Sequence, residues 1–229
     1  MRPETRRRPT RRRAVRALVT AGFALLAVWS PGRAAARIWR VDHSQSRLVV
    51  HVFRKGLLSP ALHDHHFVPE RWSATVTFDP ARPQVVDIRL TVAADSLRDR
   101  QPKLSPDDIR TVEAQARGPK GLDAERYPVI AFTADRLELS GPASDAAGSA
   151  HGVLAGVLEL HGRTRQVRAP LRARWTAASL DAEGEVSVKQ SEFGIEPYRA
   201  LLGAIAVQDR VSVEFAVRAT AEPGATERP

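Results

Sequence analysis

The sequence predicts an all-β protein, an antiparallel barrel of about eight strands with one inserted helix. From residue 37 onward, apolar and polar residues alternate with period two, which gives each strand one apolar face. A single apolar face is typical of antiparallel sheets, because buried parallel strands are apolar on both faces. Small residues also recur on the inward faces, and they favour a hollow barrel over a packed sandwich: Ala169, Ala173, Ala182 and Gly184.

Nine segments have the composition of strands. The alternation is cleanest over residues 73–78, 86–92, 167–175, 180–188 and 211–217. Less regular strands, apolar on both sides in places, are predicted over Ile38–Asp42, Leu48–Phe53, Val129–Leu139 and Val153–Leu160. Eight or nine such strands could close as a barrel or pack as a sandwich, and periodicity alone does not separate the two.

One helix interrupts the strands and has clear end signals. Ser105 is placed as its N-cap, Pro106 in the first turn, Asp107–Asp108 near the positive end of the dipole, and Gly118 after the last turn. A second short helix is predicted over Tyr198–Leu202. Either helix is suited to close a mouth of the barrel.

The chain divides into a leader over residues 1–36, a β domain over 37–220 and a disordered tail over 221–229. The leader has the parts of a secretory signal: an arginine-rich start, an apolar stretch over Ala17–Trp29, and the small residues Ala34 and Ala36. We expect cleavage after Ala36 and a periplasmic location. A retained membrane anchor is less favoured, because the apolar stretch is shorter than the roughly 20 residues that span a bilayer.

The net charge of +9 comes mainly from this leader. Residues 1–36 contain nine arginines and one acid, so the remaining chain has 26 basic and 25 acidic residues and a net charge of +1. A nearly neutral domain gives little support to nucleic-acid binding. The chain has no cysteine, which excludes disulfides and thiolate chemistry.

The densest group of chemically active side chains is His63–His66, between the second and third predicted strands. In an extended backbone His63 and His65 point the same way, so two imidazoles could ligate a metal. Zinc normally needs at least three protein ligands, and the others would come from distant histidines. The alternative function is therefore a periplasmic metal-binding protein or metal-dependent enzyme that uses His63 and His65. The favoured interpretation makes both polar residues of the barrel rim, with no metal.

Catalytic signatures are missing from the sequence. There is no Gly-x-Ser-x-Gly elbow, no glycine-rich phosphate loop and no His-Glu-x-x-His motif. We therefore expect a binding protein rather than an enzyme, with no catalytic residue and no cofactor.

Several segments, in order, resemble the YceI-like family of exported polyisoprenoid-binding proteins. They are Trp39–Asp42, Ser46–Phe53 with Gly56, Phe78–Pro80, Leu122–Phe132, Leu158–Arg165 and Ser191–Ile195. Order and spacing agree over about residues 38–219. His63–Phe67 resembles a branch with a Gly-His-Asp-His motif, although Leu62 stands where glycine is expected.

The resemblance implies a lipocalin-like barrel whose interior holds the hydrocarbon chain of an isoprenoid or fatty-acyl lipid, as a carrier or reservoir. Binding would follow from burial of apolar area, at about 25 cal/mol per Å². The candidate lumen residues, taken from the apolar strand faces, are Val76, Phe78, Ile88, Leu90, Phe132, Leu158, Leu171, Val186, Phe193 and Phe215. We expect no stable membrane span after cleavage of the leader. The sequence leaves open whether the protein forms a homodimer.

Overall fold

The computed structural model describes residues 36–56, 63–141 and 148–222. The twelve strands in this part of the chain are β1 (Arg37–Val41), β2 (Arg47–Lys55), β3 (His65–Pro69), β4 (Trp72–Phe78), β5 (Val85–Ala93), β6 (Leu97–Asp99), β7 (Val129–Leu139), β8 (Ser149–Leu160), β9 (Arg163–Trp175), β10 (Ser179–Lys189), β11 (Arg199–Ala200) and β12 (Ile205–Ala221). One α-helix, α1 (Pro106–Arg117), lies between β6 and β7.

Eight of these strands close into an antiparallel barrel in the order β1-β4-β5-β7-β8-β9-β10-β12. Strand β1 completes the ring, because it pairs with β4 on one side and with the end of β12 on the other. Strands β2, β3 and β6 extend the sheet from the first part of β12. The predicted all-β, lipocalin-like barrel is therefore confirmed.

The turn between β8 and β9 illustrates how local sequence sets the register. His161 and Gly162 both have positive φ, 52° and 68°. Two-residue hairpin loops favour this left-handed backbone because its twist matches that of the flanking strands. Ladder pairing then runs from Leu160 opposite Arg163 as far as Ser149 opposite Arg174.

The predicted helix is confirmed at both ends. Ser105 caps it, since its Oγ accepts a hydrogen bond from the amide of Asp108 at 3.1 Å, and Gly118 follows the last residue. The buried residue of α1 is acidic: Glu113 Oε1 accepts a hydrogen bond from the amide of Asp99 at 3.0 Å. This contact ties α1 to β6.

The second predicted helix is wrong. Residues 199–200 form the short strand β11, and Leu201–Gly203 form a single 3-10 turn. Leu201 and Leu202 both have positive φ, which is incompatible with a right-handed helix. Pairing of β11 with β12 outweighs the local helix signals.

The structure also bears on the predicted tail and leader. Strand β12 continues to Ala221, which pairs with Trp39, so the first residue of the predicted tail is a strand residue. The leader up to residue 35, the remaining tail from 223 and residues 142–147 lie outside the described residues. Among the described residues, no helix has the length and apolar character needed to cross a membrane.

Candidate functional site

An apolar cavity of about 210 Å³ lies inside the barrel. Seven strands of the ring contribute to its wall, β4, β5, β7, β8, β9, β10 and β12, together with Arg47 and Leu48 at the start of β2. Of the lining side chains that the structure describes, Arg47 is the charged one, and it pairs with Glu214. The remaining lining residues are aliphatic or aromatic, so the cavity suits an apolar guest.

Nine of the ten lumen candidates lie around this cavity. They are Val76, Phe78, Ile88, Leu90, Phe132, Leu158, Leu171, Val186 and Phe215. Their inward positions follow from the alternation along β4, β5, β7, β8, β9, β10 and β12, because residues two apart share a strand face.

Phe193, the tenth candidate, does not line the cavity. It ends the 3-10 turn Gln190–Phe193 and is completely buried against Val188 and Val211. Val188 also lines the cavity, so Phe193 stands one layer behind the cavity wall. Phe193 lies at one end of the core, where the Nδ1–H of His161 donates a hydrogen bond to the Phe193 carbonyl at 3.2 Å.

Three aromatic rings pack together at the other end of the core. Phe78 lines the cavity, and its ring centroid lies 5.0 Å from that of Trp175 and 6.3 Å from that of Trp39. Trp39 is buried and belongs to β1, which is paired on both edges. This end is therefore held by strand pairing as well as by ring packing.

The small inward residues have two different roles. Ala169, Ala173 and Ala182 line the cavity, and their short side chains leave the space that forms it. Gly184 instead makes room for a ring: a Cβ there would lie 2.6 Å from Cζ of Phe215. Its space is filled by an aromatic side chain rather than left open.

Several lining residues were not among the candidates. Trp72, Leu137, Leu154 and Val217 also face the cavity. The alternation could have identified Trp72, two residues before Ala74, and Leu154, four before Leu158, because residues at even spacing along a strand share a face.

His63 and His65 do not line the cavity. His65 Nδ1 lies 2.6 Å from Oδ2 of Asp99, whose side chain is fully buried. Burial acts to raise the pKa of Asp99, but hydrogen bonds from His65 and from the amides of His66 and Gln101 outweigh it, so this pKa lies below its ordinary value. The rim role of His63 and His65 stays a prediction.

A contact between two histidines lies beside the His65–Asp99 contact. Nδ1 of His51 is 3.0 Å from Nδ1 of His66, and Nε2 of His51 is 3.3 Å from Glu214. Within residues 36–56, 63–141 and 148–222, no three His, Asp or Glu side chains are arranged to hold a metal ion. The structure therefore supplies no geometry for the alternative metal site.

A family model described as the YceI-like domain matches residues 39–219. The chain belongs to the YceI-like family. The match covers every strand of the barrel except the first residues of β1 and the last residues of β12. The resemblance inferred from the sequence is thereby confirmed.

Solved structures share this YceI-like fold. BcnA of Burkholderia cenocepacia is 22% identical, with a TM-score of 0.61 over 79% of this chain and 99% of its own. A polyisoprenoid binding domain from Saccharophagus degradans, implicated in plant cell wall breakdown, is 13% identical, with a TM-score of 0.56 over 82% and 99%. The YceI protein of Campylobacter jejuni is 15% identical, with a TM-score of 0.52 over 67% and 83%. No curated protein matches the sequence significantly.

Proposed function

We propose that this protein binds an isoprenoid or another lipid-like amphiphile inside its barrel and serves as a periplasmic carrier or reservoir. The observation that supports this most strongly is the cavity inside the barrel, with its almost entirely apolar wall. An apolar chain that leaves water for such a wall gains about 25 cal/mol per Å² buried. Affinity then needs no charged contact, and polar groups only orient the head of the ligand.

The size of the cavity limits what it holds in this conformation. A cavity of about 150 Å³ with a similar lining binds benzene, which has six carbons. By that scale, 210 Å³ accommodates roughly eight carbons. This is less than two isoprene units, so we propose that a longer chain extends past an end of the cavity.

The relatives support the class of ligand. A structural neighbour is named for polyisoprenoid binding, and this chain belongs to the YceI-like family. The periplasmic location is proposed from the arginine-rich, apolar and small-residue parts of the leader. Binding rather than catalysis is proposed because, among the described lining residues, Arg47 is the one ionisable side chain, and it is paired with Glu214.

Lipid extraction tests this function. The protein is made from its full chain in a bacterium that exports it, purified without detergent, extracted with organic solvent and analysed by mass spectrometry. We expect a prenyl or acyl compound in stoichiometric yield, or uptake of an added prenol by the purified protein. If neither copurification nor uptake occurs for any prenyl or acyl chain, the proposal is wrong.

A further inference from the structure

An exposed apolar tip lies on the connection between β10 and β12. It consists of residues 198–203, in which Tyr198, Leu201 and Leu202 are exposed. Leu201 is 66% exposed, and Leu202 has no shielding from solvent. Leu202 buries no area in the monomer, and exposed apolar patches rimmed by polar residues mark sites of contact with a protein or a membrane.

The backbone of the tip is unusual as well. Leu201 and Leu202 have φ values of 47° and 55°, a left-handed conformation that residues with a branched, bulky side chain rarely adopt. The surrounding bonds hold it: β11 pairs with β12, Val207 donates to the Tyr198 carbonyl at 3.1 Å, and Ala204 donates to that of Leu201 at 3.1 Å. Residues held in such conformations cluster at functional sites.

Both basic and acidic residues lie near the tip. Arg199 and Lys55 lie opposite Ala206 on the two neighbouring strands, so all three share one face of the sheet. Glu196 is an exposed acid of the same connection, and Asp209 is bound by the amide and hydroxyl of Ser191. Attraction to an anionic surface is therefore modest, and the leucines provide the main contact.

From these observations we infer that the tip docks the protein on a lipid bilayer, with Leu201 and Leu202 inserted below the headgroups and Tyr198 at their level. Tyrosine favours this boundary, where its ring is apolar and its hydroxyl is wet. A second copy of the chain fits less well, since three side chains fall far short of the roughly 800 Å² per partner that a stable interface buries.

The position of the tip relates membrane docking to ligand entry. This step rests on the proposed lipid-binding function. The same connection contains Phe193, the buried residue behind one end of the lumen. A lipid that leaves the bilayer at the tip therefore reaches the end of the barrel beside the turn Gln190–Phe193. The opposite end is the one where β1 pairs with β4 and β12. Docking at this place delivers the apolar chain to the lumen without a path through water.

Vesicle flotation tests the inference. The exported protein is mixed with vesicles of phosphatidylcholine containing a minority of phosphatidylglycerol. The double variant L201S/L202S should bind at least about tenfold more weakly than wild type, because interfacial binding scales with buried apolar area. The matched control is V85S/V129S, which removes two apolar residues that are 51% and 50% exposed on β5 and β7. It should bind like wild type.

Two further measurements separate the outcomes. Thermal unfolding establishes that both double variants are folded, and uptake of a fluorescent apolar probe without vesicles measures the lumen itself. Wild type that takes up the probe but does not float, or equal flotation of the two double variants, overturns the docking inference and leaves the lipid-binding function standing. A wild-type dimer that L201S/L202S dissociates also overturns it, in favour of a second copy. Failure of wild type to take up the probe counts against the lipid-binding function instead.

Discussion

The ring of Phe215 on β12 lies directly over Gly184 on β10, the residue opposite it in the ladder. A Cβ at position 184 would lie 2.6 Å from the ring and 2.2 Å from the carbonyl oxygen of Pro170. Both distances are far below van der Waals contact, so any larger residue forces the ring or the backbone to move. Phe215 also lines the cavity, which couples this contact to the shape of the lumen.

Gly184→Ala should therefore lower the free energy of unfolding by about 1–3 kcal/mol, the usual cost of overpacking. Chemical denaturation measures it. Because part of this cost arises from the ring, adding Phe215→Leu should cost less in the Gly184→Ala background than in wild type. Strictly additive effects of the two substitutions would contradict the described packing.

Ala169→Leu should obstruct the lumen without unfolding the barrel. Ala169 is buried and lines the cavity, so a larger apolar side chain there occupies space that a ligand would use. We expect binding of an apolar probe to fall about tenfold or more, with a loss of stability no larger than the roughly 1–3 kcal/mol that overpacking costs. Gln166→Leu, on the exposed face of the same strand, is the control and should bind like wild type. Equal affinity for all three proteins would place the ligand elsewhere.

Phe193→Ala should change the length of chain that the protein prefers. Removing the ring leaves a space behind Val188 into which this residue of the cavity wall can move, at a cost of about 3–5 kcal/mol in stability. Measured over a series of prenols and alkanols, the preferred chain should become longer. Phe67→Ala is the matched control, since Phe67 is a buried phenylalanine of β3 that does not line the cavity. The same preference in both variants would exclude Phe193 as the limit on chain length.

The Asp99–His65 contact should make stability depend on acid pH. The pKa of Asp99 is lower in the folded protein than its ordinary value of about 3.9, so protonation favours unfolding. The stabilisation is complete above that value and is lost as the pH falls through the lowered pKa. Asp99→Asn should be about 1–3 kcal/mol less stable than wild type near neutral pH.

Denaturation of both proteins between pH 6 and pH 3, roughly the range around the ordinary Asp pKa, measures this dependence. The difference in free energy of unfolding between wild type and Asp99→Asn should become smaller as the pH falls. Asp181→Asn, which changes an exposed carboxylate 3.6 Å from Arg218, is the control and should have a small effect throughout. If the stability difference between wild type and Asp99→Asn stayed constant with pH, the lowered pKa of Asp99 would be contradicted.

Much of the lumen could be predicted from the sequence because strand alternation alone determines which residues face inward. Val76 and Phe78 on β4, or Ile88 and Leu90 on β5, need only the period of two to be placed on the same face. Phe193 could not be placed this way, since it lies in a 3-10 turn beyond the end of β10, where alternation no longer applies.

The polar contacts required the tertiary structure. His65 and Asp99 are 34 residues apart, and they meet because β3 and β6 pair in a register that local sequence does not specify. Residues Tyr198–Leu202 of the tip were predicted as a helix, but pairing of β11 with β12 decides the conformation. In both places long-range pairing overrides or supplements the local signals.

The most direct test of the central claim is to locate a ligand in a crystal. Crystals of the protein grown with a terminally brominated alkyl chain would give an anomalous bromine signal at the position of the chain end. The account predicts that this peak lies inside the barrel, for example beside the row formed by Leu90, Phe132 and Leu158, and that Ala169→Leu weakens it. An ordered chain bound only outside the barrel, or an empty lumen at saturating ligand, would contradict the account.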